Sequence, residues 1–201
     1  NPSSNYKIKG MMADQGGTAI NAGTINVTNA YGMTLGSSKG NGDANTIINN
    51  GTINVNGGLG MEVAPTGTSS TVGTATGVGI NNGTIKVTQG SGVQISGANG
   101  NSFTNNGTID AAGSYAVIVI KEDAHESESN TVTLTSGSVT NGTIYVDSGV
   151  SDTTINIQKG ADFDGRIWLK SKAALNISSI VISDQSSSNG GAIFNGSANG
   201  E

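Results

Sequence analysis

One seven-residue pattern, N-N-G-T-I-x-V, returns along this chain and restricts its fold more than any other feature. Copies stand at Asn21-Ala22-Gly23-Thr24-Ile25-Asn26-Val27, Asn49-Asn50-Gly51-Thr52-Ile53-Asn54-Val55 and Asn81-Asn82-Gly83-Thr84-Ile85-Lys86-Val87. Two more are Asn105-Asn106-Gly107-Thr108-Ile109-Asp110-Ala111 and Thr140-Asn141-Gly142-Thr143-Ile144-Tyr145-Val146. The repeat glycines lie 28, 32, 24 and 35 residues apart. A floor of 24 with variable excess fits one fixed coil of about 24 residues carrying insertions.

A second motif follows each of the first four copies: Gly32-Met33-Thr34-Leu35, Gly60-Met61-Glu62-Val63, Gly92-Val93-Gln94-Ile95 and Ala116-Val117-Ile118-Val119. Gly10-Met11-Met12-Ala13 fits as an earlier one. A third segment precedes the repeat and contains Ile20, Ile48, Ile80, Thr104 and Val139. Each unit therefore holds three short strands separated by turns, and none has helical apolar spacing. Three such strands cannot bury a face alone. Stacked coil on coil they enclose a narrow core. The expected fold is all-β: a right-handed parallel β-helix, a three-sheet solenoid of about 24 residues per coil.

Strand geometry assigns the faces. In G-T-I-x-V the Ile and Val share the inner face. The x position, Asn26, Asn54, Lys86, Asp110 and Tyr145, tolerates charge and faces solvent. Met33, Leu35, Met61, Val63, Val93 and Ile95 are expected inward. Gly and Asn at the repeat corner are expected because tight corners demand φ > 0. Asn stacked on Asn also predicts a hydrogen-bonded ladder through Asn21, Asn49, Asn81 and Asn105. About seven coils at ~4.8 Å give a rod of ~34 Å.

Composition agrees with a chain built from strands and turns. Gly accounts for 32 of 201 residues, 34% are hydrophobic, and Val, Ile and Thr cluster between Gly/Asn turns. Cysteine is absent, so ladder bonds and the stacked core must replace disulfides. No apolar run is long enough to cross a membrane, and the first residues lack the pattern of a secretion signal. Net charge is −5, with eight scattered lysines and one arginine, Arg166. That excludes a nucleic-acid backbone as an expected partner.

The repeated N-N-G-T-I-x-V followed by G-M-x-[LV] resembles the passenger domains of type V autotransporters, above all the large fusobacterial-type autotransporter adhesins. The likeness covers about residues 10–146 well and the remainder loosely. Similar Asn-Gly coils occur in filamentous-haemagglutinin-type adhesins and phage tail proteins. The resemblance implies a single β-helix segment, 1–201, of a longer passenger. Regular coils run over about 10–146, less regular coils over 147–195, and a frayed tail over 196–201. It further implies display at the cell surface through a C-terminal outer-membrane barrel outside this sequence. The implied role is adhesion, with attachment to a protein or glycan receptor on host or other bacterial cells. A monomeric fragment is expected, without membrane insertion and without a cofactor. The alternatives are a β-helical carbohydrate-active enzyme, lyase or hydrolase, and a phage-type receptor-binding fibre.

No catalytic constellation stands out, and an enzyme is not expected. Glycoside hydrolysis needs two carboxylates about 5–10 Å apart on one surface. The outward acids Glu62 and Asp110 belong to different columns of the repeat. Asp162 and Asp164 flank Phe163 near Arg166, and a solvated corner is the expected reading there. Gly36-Ser37-Ser38-Lys39-Gly40 matches G-x-S-x-G, yet no helix follows to make a nucleophile elbow. Gly40-Asn41-Gly42-Asp43 echoes a calcium-binding repeat in one copy only. The insertion from Lys121 to Asn130 holds the sole histidine and the densest charge. Its Lys121, Glu122, Asp123, His125, Glu126 and Glu128 are the candidate binding residues. One histidine with carboxylates is a poor zinc set, so no metal is expected. With Val117 and Val119 inward, Ile118 faces out, and this insertion or a partner is expected to pack over it. A second insertion, Ala64 to Ala75, is Thr/Ser/Gly-rich and names no ligand. Sugar grooves present aromatic platforms, and this chain offers only Trp168 and four tyrosines, Tyr145 among them.

Overall fold

The computed structural model describes residues 8–36, 44–65, 76–97, 99–121, 129–150, 152–170, 179–182 and 193–194. Among them the chain forms strands β1 (Lys9–Ala13), β2 (Thr18–Asn21), β3 (Thr24–Leu35), β4 (Asn45–Asn49), β5 (Thr52–Val63), β6 (Gly77–Asn81), β7 (Thr84–Ile95) and β8 (Ser102–Asn105). It continues through β9 (Thr108–Val119), β10 (Thr131–Leu134), β11 (Val139–Val146), β12 (Thr154–Ile157), β13 (Asp162–Leu169), β14 (Ser179–Ile182) and β15 (Ile193–Phe194). Every pairing is parallel, and each strand pairs with the strand two places along the chain. The odd-numbered strands make an eight-stranded sheet and the even-numbered ones a seven-stranded sheet. This stacking of coil on coil is a parallel β-helix.

Two hydrogen-bonded sheets replace the three expected. In β3, β5, β7 and β9 the T-I-x-V and G-M-x-L segments run together as one strand of 12 residues. Each of these strands bends at a left-handed residue: Asn29 (φ 50°), Gly57 and Gly58 (φ 85° and 96°), Gly90 (φ 105°) and Gly113 (φ 77°). The bend turns one sheet into two faces; the pairing runs through it from β3 to β5, shifts register there from β5 to β7, and resumes beyond it from β7 to β9. The φ > 0 corner is therefore here and not at the Asn-Gly of the first four copies, where Gly23, Gly51, Gly83 and Gly107 are not left-handed; in the fifth copy Gly142 is, with φ 118°. Glycine is needed at that corner for closeness. A Cβ on Gly51, Gly83 or Gly107 would run into the carbonyl oxygen of the glycine one coil before.

The inner columns are as the alternation indicates. Ile53, Val55, Met61 and Val63 of one coil stack on Ile85, Val87, Val93 and Ile95 of the next, all buried. Asn26, Lys86 and Asp110 face solvent at the x position. On the seven-stranded sheet the inward column is Ala19, Ile47, Gly79, Phe103 and Val132. Ile20, Ile48 and Ile80 point the other way, and Ile20 is 50% exposed. Gly79 makes room for Phe103, whose ring would lie 3.2 Å from a Cβ placed there.

The buried Asn ladder is present. Asn21 donates to Asn49 at 2.7 Å, Asn49 to Asn81 at 2.8 Å and Asn81 to Asn105 at 2.8 Å. Asn105 donates to the Thr140 hydroxyl at 2.9 Å, which ends the row. A second row on the exposed side links Asn106 to Asn82 and Asn82 to Asn50.

The fifth copy of the repeat is not in register with the other four. Thr140 stacks on Ile109, but Ile144, Tyr145 and Val146 stack on Val117, Ile118 and Val119, the second-strand column. The chain leaves out the bent corner at this coil, and β11 has 8 residues where β9 has 12. Next, Ile167, Trp168 and Leu169 stack on Ile144, Tyr145 and Val146. The shortcut also explains Ala116, which breaks the Gly10, Gly32, Gly60, Gly92 column. A Cβ on Gly60 would lie 2.6 Å from the Gly92 carbonyl oxygen of the next coil. The coil after Ala116 skips its counterpart, passing from Tyr115–Thr143 to Val117–Ile144, so a methyl group fits.

Candidate functional site

Leaving out the corner brings aromatic side chains together on the outside of the eight-stranded sheet. Tyr145 stacks one coil above Ile118 and one below Trp168. Tyr115, in the neighbouring column, leans toward Tyr145 with ring centroids 5.6 Å apart. Tyr145 meets Trp168 edge to face at 5.3 Å. Arg166 is exposed and carries its guanidinium 5.1 Å from the centre of the Trp168 ring. All three rings are half-buried, so each keeps an open portion. Three of the eight aromatic residues in the sequence thus form one cluster.

A groove of about 560 Å³ runs along the bend of the sheet and ends at this cluster. Its wall at the bend is backbone, supplied by Gly57, Gly58, Gly90 and Gly113 beside Asn29. Gln89, Ser91, Ser114 and Thr143 add hydrogen-bonding side chains, and Tyr115 and Arg166 close the far end. The lining contains no Asp or Glu, and Arg166 is its one charged residue.

The Tyr145 hydroxyl donates to the Asp147 carboxylate at 2.7 Å. Burial first, and then this bond, hold the Tyr145 hydroxyl above the usual tyrosine range. Burial acts to raise Asp147 as well. It is outweighed by the Tyr145 hydroxyl, the Ser148 N–H and the Lys170 charge, which bring the carboxyl below its usual range. The signs follow by linkage. The Tyr145 contribution is intact below the ordinary tyrosine value of about 10 and is lost as pH rises past it. The Asp147 contribution is intact above the ordinary value of about 3.9 and fades as pH falls through the lowered one. In an ultraviolet titration of the phenols, a late ionisation step is expected in the native chain and is expected to vanish in Tyr145→Phe. A late step that survives the substitution would assign it to another tyrosine.

Residues singled out from sequence fare differently. Glu62 stands in the outward column Thr34, Glu62, Gln94, Ile118, but it is 8% exposed and does not offer a free surface carboxylate. Asp110 is exposed in a separate column, between Lys86 and Asn141, so the two acids do not converge. Asp162 and Asp164 are exposed and flank the buried Phe163, and neither lines the groove. Tyr145, expected exposed, is half-buried by its aromatic neighbours. Ile118 is half-buried, with Gln94 and Tyr145 as its register partners. Lys121 is exposed and its aliphatic stem runs past Gly149. Glu122, Asp123, His125, Glu126 and Glu128 lie outside the described residues, as do Ser37 to Asp43 and residues 66–75. Among the described residues no group of three His, Cys, Asp or Glu could hold a metal ion.

Tyr115 and the groove were not legible as a site in the sequence. Their signal is the register of the fifth repeat. Had Thr143-Ile144-Tyr145-Val146 been aligned with Tyr115-Ala116-Val117-Ile118-Val119, the aromatic neighbours would have followed. Comparison with protein-family models, with curated proteins and with solved structures found no match for this chain.

Proposed function

We propose that the chain is a fragment of a surface-displayed adhesin passenger of the type V autotransporter kind, a non-catalytic rod that presents an attachment face to host or other bacterial cells. The observation that carries this reading is the division of labour across the sheet. Its inside is a repetitive stacked core with a buried Asn ladder, which supplies stiffness and length. Its outside breaks the repeat at one place and gathers Tyr115, Tyr145, Trp168 and Arg166 there. Aromatic and arginine side chains are those that dominate binding energy at protein surfaces. In a chain with 4% aromatic residues, a half-exposed cluster at the end of a polar groove fits recognition. Display at the cell surface and anchoring through a barrel belong to this proposal through the likeness of the repeat.

Beads coated with the purified chain are expected to be retained by epithelial cells or by partner bacteria in a coaggregation assay. Beads coated with the Tyr145→Ala, Trp168→Ala double variant are expected to be retained several-fold less. Retention of native beads no greater than that of blank beads on both cell types would sink the adhesive reading.

A further inference from the structure

Resting on that adhesive reading, we propose that the groove ending at Arg166 binds an oligosaccharide that carries a carboxylate sugar. The neutral part would lie along the bend, and the acid group would sit on the guanidinium. Three observations converge on this chemistry. The groove wall offers amide and hydroxyl groups from Gln89, Ser91, Ser114 and Thr143, the donors and acceptors that sugar hydroxyls need. Glycines at the bend leave backbone in place of side chains, so a ligand can approach the main chain closely. The half-exposed ring of Tyr115 lines the groove beside those polar groups, and Tyr145 and Trp168 continue the aromatic cluster beyond it. A pyranose, polar at its rim and apolar on one face, matches that alternation.

Arg166 decides which sugar. It is the one arginine in the chain, it is exposed, and among the described residues it forms no ion pair; its partner is the Trp168 ring. Stacking on a ring holds the planar fork in place and leaves its N–H groups free to bind a carboxylate in a two-point contact. The groove holds no acid of its own to compete for it. A net charge of −5 disfavours a densely charged polyanion, so a ligand with one or few carboxylates fits better than nucleic acid or a heavily sulfated chain.

Trp168 is the sole tryptophan, so its fluorescence reports directly on this site. The chain is titrated with sialyllactose, with a short galacturonate oligomer and with lactose. A saturable change is expected with at least one acidic sugar, and binding of lactose at least tenfold weaker. A response to sialyllactose alone assigns the ligand to sialylated glycans, and a response to galacturonate alone assigns it to uronic-acid polymers. Arg166→Gln is expected to reduce acidic-sugar affinity to the lactose level, and Arg166→Lys to retain part of it. Far-UV circular dichroism verifies that both variants are folded. No saturable change with either acid at millimolar concentration overturns the proposal, as does equal binding of lactose or an unchanged affinity in Arg166→Gln. Native beads that hold cells while the chain binds no acidic sugar would leave the adhesive reading standing and remove this one.

Discussion

Asn81→Ala is expected to lower unfolding stability by about 2–5 kcal/mol, whereas Asn82→Ala, one residue away with the same side chain, is expected to cost under about 1 kcal/mol. Asn81 is fully buried, accepts from Asn49 and donates to Asn105. It also reaches the Thr108 and Gly83 carbonyls at 3.1 and 3.3 Å. Truncation leaves the Asn49 amide without its side-chain acceptor and the Asn105 oxygen without its side-chain donor, each costing about 1–3 kcal/mol in a dry interior. Asn82 makes the analogous bonds at the surface, where water replaces them. Asn81→Asp separates the ladder from mere volume. The shape is conserved, the donor is lost, and burial raises the new carboxyl's folded pKa. That variant is therefore expected to be most stable in acid, where a protonated carboxyl donates to Asn105, and to lose stability as pH rises through and above about 4. Guanidinium unfolding of the four proteins at two pH values measures all of this. Equal midpoints for Asn81→Ala and Asn82→Ala would deny the buried ladder its role.

The same ladder illustrates what the sequence makes legible. Asparagine recurring at one position with Gly two residues on, and Ile and Val alternating behind it, leaves one stacking that buries the apolar residues and satisfies the amides. The inner columns and the row of Asn21, Asn49, Asn81 and Asn105 follow from period two and a fixed coil. The fifth repeat misleads for a physical reason. Thr143-Ile144-Tyr145-Val146 alternates equally well as a first or a second strand, and only its stacking partners decide which. The aromatic cluster and the end of the groove depend on that decision, so the site was the least legible part. Glu62 shows another limit. Alternation along a strand assigns a side chain to a face of the sheet, but whether that face is wet depends on what lies over it. The amides of Asn45 and Asn101, which accept from the Gly16 and Gly77 N–H groups, each stand four residues before a ladder asparagine, but Gly17 and Gly77 hold that place before Asn21 and Asn81, so no row of amides recurs there to be read.

Gly83→Ala is expected to damage the fold severely, and Gly23→Ala, at the same place in the repeat, to be harmless. Neither glycine is left-handed, so alanine meets no backbone strain at either. The difference is what lies one coil before. A Cβ on Gly83 would run into the Gly51 carbonyl oxygen, with the Gly51 nitrogen and the Asn50 carbonyl carbon at 2.9 Å. All three are backbone atoms held in the ladder, by Thr84 N–H to Gly51 oxygen at 2.9 Å and by Asn82 N–H to Asn49 oxygen at 2.8 Å. They cannot rotate away as a side chain would. Two coils must separate beyond the usual ~4.8 Å, stretching bonds on both sides of the corner. Ordinary overpacking costs about 1–3 kcal/mol, and a clash between fixed backbones belongs at or above the top of that range. In a solenoid each coil contacts only its neighbours, so the loss falls on two interfaces at once. Gly23 begins its column, and a Cβ there meets nothing within 4 Å among the described residues. Alanine at that position restricts the unfolded chain and is expected to add about 0.4–1 kcal/mol. Thermal unfolding of the two variants beside the native chain measures the contrast. Similar losses for both would mean that the corner needs glycine for its own conformation, and the close stacking of successive corners would no longer explain why the repeat keeps it.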